Sequence, residues 1–206
     1  MWVNKRKNDL VFIIKATLLY GILAAGFSLL GIFLPERQFL DNPISGGLDW
    51  FHIIGHIVWG LMIGALSFSL RYFLLSGAFA IIIDWDHLVQ FLDIDAIGRM
   101  GHSIPFGFLA AVVMMILFSD LRNRNEHYLL GAVAFAAMLA HISFDTLTGS
   151  GNFPLFAPFY DHLIRFPNSF WFVFQLAGAA IIISSMILAK SHISKDKDIV
   201  KKSRRS

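Results

Sequence analysis

The chain has 206 residues, of which 56% are hydrophobic and only 15% are charged, and its mean hydropathy is +0.64. Soluble domains carry about 25% charged residues, so this composition excludes a typical soluble globular protein as well as a disordered or fibrous chain. The net charge is +3, and the basic residues are concentrated near the two ends, which is typical of membrane orientation and not of nucleic-acid binding. Cysteine is absent, so disulfides and thiolate-ligated metal centres are excluded.

Six apolar stretches follow one another along the chain, and each approaches the length needed to cross about 30 Å of hydrocarbon. They cover residues 10–34, 50–70, 72–92, 103–119, 128–148 and 170–189. The sequence therefore predicts an all-α, polytopic membrane helical bundle of about six transmembrane helices, with both termini on one side.

The basic residues predict which side that is. With both termini inside, the inner segments hold 13 Lys and Arg residues and the outer segments hold three, which are Arg37, Arg99 and Arg165. Cytoplasmic loops of membrane proteins carry an excess of Lys and Arg, so we expect cytoplasmic N- and C-termini.

The chain divides into three predicted segments. Residues 1–34 form an N-terminal anchor span, because the apolar run that reaches Leu34 is longer than the hydrophobic region of a cleaved signal peptide. Residues 35–189 form the membrane-embedded bundle, and residues 190–206 form a basic cytoplasmic tail that we expect to be disordered. The loops are too short for a hydrophobic core of their own, so function is expected in the bundle.

Ionisable side chains occur in four of the predicted spans, where they are costly unless they are paired, hydrated or bound to a metal. They are His52 and His56 in the second span, Asp84, Asp86 and His87 in the third, His102 at the start of the fourth, and His141 and Asp145 in the fifth. With the orientation above, all four groups fall in the outer third of the membrane. We therefore predict that they form one site near the extracytoplasmic face.

The spacing of these residues fits metal ligation. His52 and His56, like His141 and Asp145, are four residues apart and share a helix face, whereas Asp86 needs a local distortion or a supporting role. Imidazole and carboxylate ligands without sulfur suit a divalent ion, with zinc preferred and manganese or iron as alternatives. Eight candidate groups are enough for two ions, and one ion with supporting residues is the alternative.

Three motifs in this part of the chain resemble, in content and order, the YdjM-like family of predicted inner-membrane, metal-dependent hydrolases. They are Ile-Ile-Ile-Asp-Trp-Asp-His at 81–87, Gly-Arg-Met-Gly-His-Ser at 98–103, and Leu-Ala-His-Ile-Ser-Phe-Asp-Thr-Leu-Thr at 139–148. The resemblance covers residues 50–167 and departs from the family at Ile83, which stands where a Pro is usual. It implies a hydrolase in the inner (cytoplasmic) membrane, and it favours His56 over His52 as a ligand because Gly60 follows at the usual distance.

The expected function is hydrolysis of an ester or phosphoester of a lipid or amphiphilic substrate by metal-activated water. Asp86 is the expected general base, Arg99 and Arg165 are expected to hold an anionic group of the substrate, and the segment 153–170 is expected to act as a lid. The alternatives are a metal or proton transporter, a haem-bearing electron carrier, and a structural or partner-binding protein in which the polar cluster joins helices.

Overall fold

The computed structural model describes residues 2–34, 50–92, 99–118, 124–149, 151–160 and 162–203. In these residues the chain forms six α-helices: α1 Trp2–Leu29, α2 Trp50–Ala65, α3 Leu70–Ile82, α4 Ile104–Leu117, α5 Arg124–Thr148 and α6 Trp171–Ser203. Short 3₁₀ helices cover Leu30–Phe33, Ile83–Leu92, Met100–His102 and Asn168–Phe170. Two short strands, β1 Asn152–Phe153 and β2 Ile164–Arg165, pair in antiparallel orientation. The prediction of an all-helical bundle is confirmed apart from this small hairpin.

Four helical stretches are long and apolar enough to cross a membrane, namely Asn8–Phe33, Leu70–Val89, Glu126–Thr148 and Asn168–Ala189. The helices α2 and α4 are also apolar, but they have only 16 and 14 residues, fewer than the roughly 20 that a span needs. A turn ends α2 after Ala65, where the Ser67 hydroxyl donates to the Gly64 carbonyl at 2.7 Å. The predicted spans 50–70 and 103–119 are therefore longer than the helices that form there, and the side of the termini stays a prediction.

Helix α5 lies at the centre of the bundle. Its most apolar stretch is 83% buried, against 28% for α1 and 22% for α6. Small side chains make this possible, because alanines along α5 let neighbouring helices approach closely; the fully buried ones are Ala134, Ala136, Ala137 and Ala140. His141 and Asp145 follow directly and are therefore carried at the centre of the molecule.

Helices α2 and α3 approach each other through glycine. A Cβ on Gly60 would lie 2.5 Å from the Ser76 carbonyl oxygen, and one on Gly64 would lie 2.7 Å from the Ser76 Cβ. The contact brings α2, with His52 and His56, beside the C-terminal end of α3 and the 3₁₀ helix that follows it. Gly60 thus has a packing role that is independent of any family resemblance.

The predicted N-terminal anchor packs within the same bundle. A Cβ on Gly21 would lie 2.8 Å from both Ile82 and Trp85, and the Ser28 hydroxyl accepts a hydrogen bond from the Gly101 amide at 3.3 Å. Helix α1 therefore contacts both the segment that bears the aspartates and the turn before His102.

At the other end of the chain, α6 continues to Ser203, so the backbone of residues 190–203, expected to be disordered, is helical. Arg37 and Arg122, which contribute to the predicted orientation, lie outside the described residues.

Candidate metal centre

The structure brings the eight predicted His and Asp residues into one cluster. Their ligand atoms form four overlapping groups, each of three or four residues with all atoms within 4.8 Å of one another. Five members are buried, which are His56, Asp86, His102, His141 and Asp145. The other three, His52, Asp84 and His87, keep 16%, 12% and 15% of their side-chain surface exposed and form the open side of the cluster.

The centre of the cluster is the pair His102 and His141, whose Nε2 atoms lie 2.7 Å apart. The Nδ1 atom of His141 lies 2.6 Å from the Ala80 carbonyl oxygen, and Nδ1 of His102 lies 2.8 Å from Asp86 Oδ2. With these acceptors each ring carries a proton on Nδ1, and the two Nε2 atoms, which are at hydrogen-bond distance, then need a shared proton or a cation between them. A carbonyl or carboxylate behind Nδ1 is the usual support of a metal-ligating histidine.

Two carboxylates complete the surroundings of this pair. Asp84 Oδ1 lies 3.3 Å from Nε2 of His141 and 3.8 Å from Nε2 of His102. Asp145 Oδ2 lies 3.6 Å from both of these nitrogens. Two imidazoles and two carboxylates therefore converge, a set of donors that suits zinc, manganese or iron.

A second group shares Asp145. Its other oxygen, Oδ1, lies 3.2 Å from Nε2 of both His52 and His56. The ring of His56 is stacked on that of His141, with centroids 3.7 Å apart. The structure thus brings both histidines of α2 to the cluster, and the two oxygens of Asp145 face different histidine pairs.

Asp86 has the surroundings of a supporting residue. The chain changes from α-helix to 3₁₀ helix at Ile83, which supplies the distortion that the sequence required for Asp84 and Asp86 to serve the same cluster. Asp86 Oδ2 accepts from His102 Nδ1 and, at 3.0 Å, from the Gly101 amide. A Cβ on Gly101 would lie 2.9 Å from the same oxygen, so this approach needs glycine.

Arg99 and Arg165, the two arginines predicted to hold the substrate, differ in their burial and in their partners. Arg99 has a left-handed backbone (φ 62°, ψ 28°), its guanidinium donates to Asp145 Oδ2, and it lies 5.5 Å over the ring of Phe153. Burial opposes its charged form, but Asp145, Asp86 and Asp84 outweigh burial and hold the pKa of Arg99 above its usual value. Arg165, in β2, is exposed and belongs to none of the ion pairs among the described residues.

The net negative charge of the cluster also favours binding of a cation. With neutral imidazoles, the carboxylates of Asp84, Asp86 and Asp145 and the guanidinium of Arg99 sum to a net charge of −2. Unbalanced buried charge is costly, and one divalent ion would balance it.

Three contributors to the cluster were not predicted. The Ala80 carbonyl and the Ser28 hydroxyl have no signal in a single sequence, since any residue offers a carbonyl and α1 could have packed elsewhere. Phe153 was assigned to a lid, but it is fully buried and stacks on His102 with centroids 6.1 Å apart. Ser103, one residue after His102, caps α4 by accepting from the Phe106 amide at 3.2 Å.

Fold and cluster together define a helical protein with several helices apolar enough to cross a membrane and a buried His/Asp cluster that could hold a metal ion. Comparisons with protein-family models, with curated proteins and with solved structures found no match for this chain. The resemblance to the YdjM-like family therefore stays a prediction that depends on the three motifs.

Proposed function

We propose that this protein is a membrane-bound, metal-dependent hydrolase that cleaves an ester or phosphoester of a lipid or amphiphilic substrate on the extracytoplasmic side. The observation that supports this most is the convergence of the His102 and His141 Nε2 atoms, each on a ring whose Nδ1 has its own acceptor. The motifs that resemble the YdjM-like family agree with this proposal.

In this proposal His102, His141, Asp84 and Asp145 would hold one divalent ion, and His52 and His56, which lie beside Asp145, are the candidate ligands of a second. Zinc is the first expectation, with manganese or iron as alternatives. A bound ion of this kind lowers the pKa of its water toward about 7 and so supplies hydroxide at neutral pH. Hydrolysis would add one water across the bond, with its oxygen going to the acyl or phosphoryl group and its proton to the departing alcohol.

The protein's own residues orient the ligands and move the proton. Asp86 and the Ala80 carbonyl fix the rings of His102 and His141. Asp86 Oδ2 accepts two hydrogen bonds, which supports this positioning role, whereas its buried Oδ1 has no hydrogen-bond partner among the described residues and is available for the expected role of general base. His87, whose Nε2 lies 3.5 Å from Asp84 Oδ1, is on the open side of the cluster and is a second candidate to take up and release a proton.

Arg99 is the residue best suited to hold an anionic group of the substrate. Its Nη2 is directed to Asp145, while its buried Nε has no hydrogen-bond partner among the described residues. A guanidinium with a free N–H can donate to a phosphate or carboxylate oxygen. Arg165 is exposed, so the structure offers no comparable support for its expected role in holding the substrate.

The test is elemental analysis of the detergent-purified wild type beside His141→Ala, with His127→Ala as the control from the same helix but outside the cluster. Each protein is also assayed with 4-nitrophenyl esters and bis(4-nitrophenyl) phosphate, with and without a chelator. We expect bound metal and chelator-sensitive turnover in the wild type and the control, and neither in His141→Ala.

Wild type that binds no ion after metal loading, or turnover that persists in His141→Ala, would contradict the proposal. Circular dichroism and gel filtration check folding, and His141→Gln replaces the alanine variant if the latter does not fold. Metal-free wild type together with unfolding of both variants would favour the structural alternative.

A further inference from the structure

An apolar groove lies between α2 and α5, directly beside the His/Asp cluster. It has a volume of about 550 Å³, which is within the range of small-molecule sites, roughly 300–1,000 Å³. Its walls are five residues of α2 from Phe51 to Trp59 and three residues of α5 from Phe144 to Thr148. At 1.5 Å per residue, the α2 wall is about 12 Å long.

The ring of Phe144 contacts both the groove, which it lines, and the α2 histidines of the cluster. On one side it contacts His52 and His56, with centroid distances of 5.5 and 5.0 Å. On the other side it lines the groove beside Trp59, at 5.2 Å. Gly55 allows this arrangement, because a Cβ at that position would lie 1.9 Å from the Phe144 ring.

The lining has no polar group available for a ligand. None of the eight lining residues is ionisable. The Thr148 hydroxyl donates to carbonyls of its own helix, at 3.1 Å to Phe144, and the Trp59 indole donates to the Ser143 hydroxyl at 3.2 Å. A molecule in this groove therefore meets mainly hydrocarbon and aromatic surface.

We infer that the groove holds the hydrocarbon chain of the substrate, an anionic or ester-headed amphiphile whose head group lies at the cluster. This inference rests on the proposed function and adds to it the place where the chain binds. The charge pattern is complementary to such a molecule, since Arg99 and the metal-ligating residues lie at one end and uncharged apolar side chains at the other. The polar and apolar parts of the substrate would meet near His52 and His56.

The groove contributes orientation more than affinity. A chain that enters from a bilayer leaves one apolar medium for another, so little hydrophobic free energy is gained. Packing against Phe144 and Val58 instead fixes where the bond to be cleaved lies relative to the cluster, and such positioning changes turnover. Filling the groove should therefore impair long-chain substrates selectively.

The variants Val58→Phe and Val173→Phe form a matched pair. Val58 lines the groove and is 40% exposed, and Val173 on α6 is 41% exposed and does not line it. In lipid nanodiscs, we expect Val58→Phe to lower kcat/KM for 4-nitrophenyl dodecanoate about tenfold more than for 4-nitrophenyl acetate, the order of discrimination that apolar pockets achieve. Val173→Phe should change neither value.

A second readout does not require activity. A brominated fatty acid, added at a low mole fraction, should quench Trp59 fluorescence saturably in the wild type, with the Trp59 signal isolated by comparison with Trp59→Phe. Val58→Phe fills the groove and should therefore abolish the saturable part of the Trp59 quenching.

Equal losses for both esters in Val58→Phe, or quenching that stays linear with fatty acid in the wild type, would overturn the inference. So would a dimer in the wild type that Val58→Phe converts to a monomer, because the groove would then hold a second copy of the chain. If the wild type hydrolyses neither ester nor phosphoester, the proposed function fails, and the quenching result alone decides whether the groove binds an alkyl chain.

Discussion

Asp86 Oδ2 accepts a hydrogen bond from Nδ1 of His102 at 2.8 Å, and the Nε2 atom of the same ring faces His141 at the centre of the His/Asp cluster. The sequence offered both His102 and Asp86 as metal ligands, and this contact distinguishes a ligand from a residue that supports it. His102 is a ligand candidate, and Asp86 contacts the opposite nitrogen of its ring, which supports a positioning role for Asp86.

Asp86→Asn should therefore weaken metal binding without abolishing it. Loss of such a supporting partner typically lowers metal affinity about 10–100-fold. We expect isothermal titration of metal-depleted protein to give that loss for Asp86→Asn, whereas His141→Ala should show no binding. Complete loss of binding in Asp86→Asn would instead identify Asp86 as a direct ligand.

Gly21→Ala should destabilise the protein by about 1–3 kcal/mol, the usual cost of overpacking. Its Cβ would lie 2.8 Å from Ile82 and Trp85 and would push α1 away from the 3₁₀ helix that carries Asp84 and Asp86. Gly26→Ala is the control on the same helix, because its Cβ would meet nothing within 4 Å. That change should be neutral or stabilise by up to about 1 kcal/mol, since alanine favours helix.

Thermal unfolding in detergent measures both glycine variants, and metal titration shows whether displacement of α1 reaches the cluster. If the two variants have the same stability, α1 does not pack on the site as the structure describes. In that case residues 1–34 would act as a separate anchor.

Arg99→Gln should lower stability by about 3–5 kcal/mol in metal-depleted protein, the usual cost of removing one partner of a buried ion pair. The carboxylate of Asp145, which is 1% exposed, would lose its cationic partner. Arg165→Gln should stay within about 0.5 kcal/mol of the wild type, because Arg165 is exposed. Chemical denaturation in detergent compares the two, and equal effects would contradict the structural difference between these arginines.

Metal removal should lower the melting temperature of the wild type. An ion present at about 100 times its dissociation constant adds about 2.7 kcal/mol to stability, which corresponds to roughly 5–10 °C for a chain of this size. Differential scanning fluorimetry with a chelator, followed by added zinc, manganese or iron, measures the loss and its recovery. His141→Ala should not respond, and a wild type that is equally insensitive would argue against a bound ion.

The sequence by itself determined the class of structure and the members of the cluster. Hydropathy predicted apolar helices, because the total apolar character of a stretch does not depend on its neighbours. The eight His and Asp residues were identifiable because an ionisable side chain in an apolar stretch is energetically costly unless it is paired, hydrated or bound to a metal. Their convergence was predicted from the expected topology, in which adjacent spans run in opposite directions and bring alternate ends together.

The tertiary structure decided what each residue contacts within the cluster. Whether Asp86 binds an ion or supports His102 depends on the change to 3₁₀ helix at Ile83 and on the approach of Gly101, and neither is encoded in local periodicity. The packing of α1 on Trp85 and the burial of Phe153 beside His102 depend on which surfaces meet. A hydrogen bond forms only when two atoms are placed to within a few tenths of an ångström. The packing of the whole bundle determines such positions, whereas the spacing of residues along the chain does not.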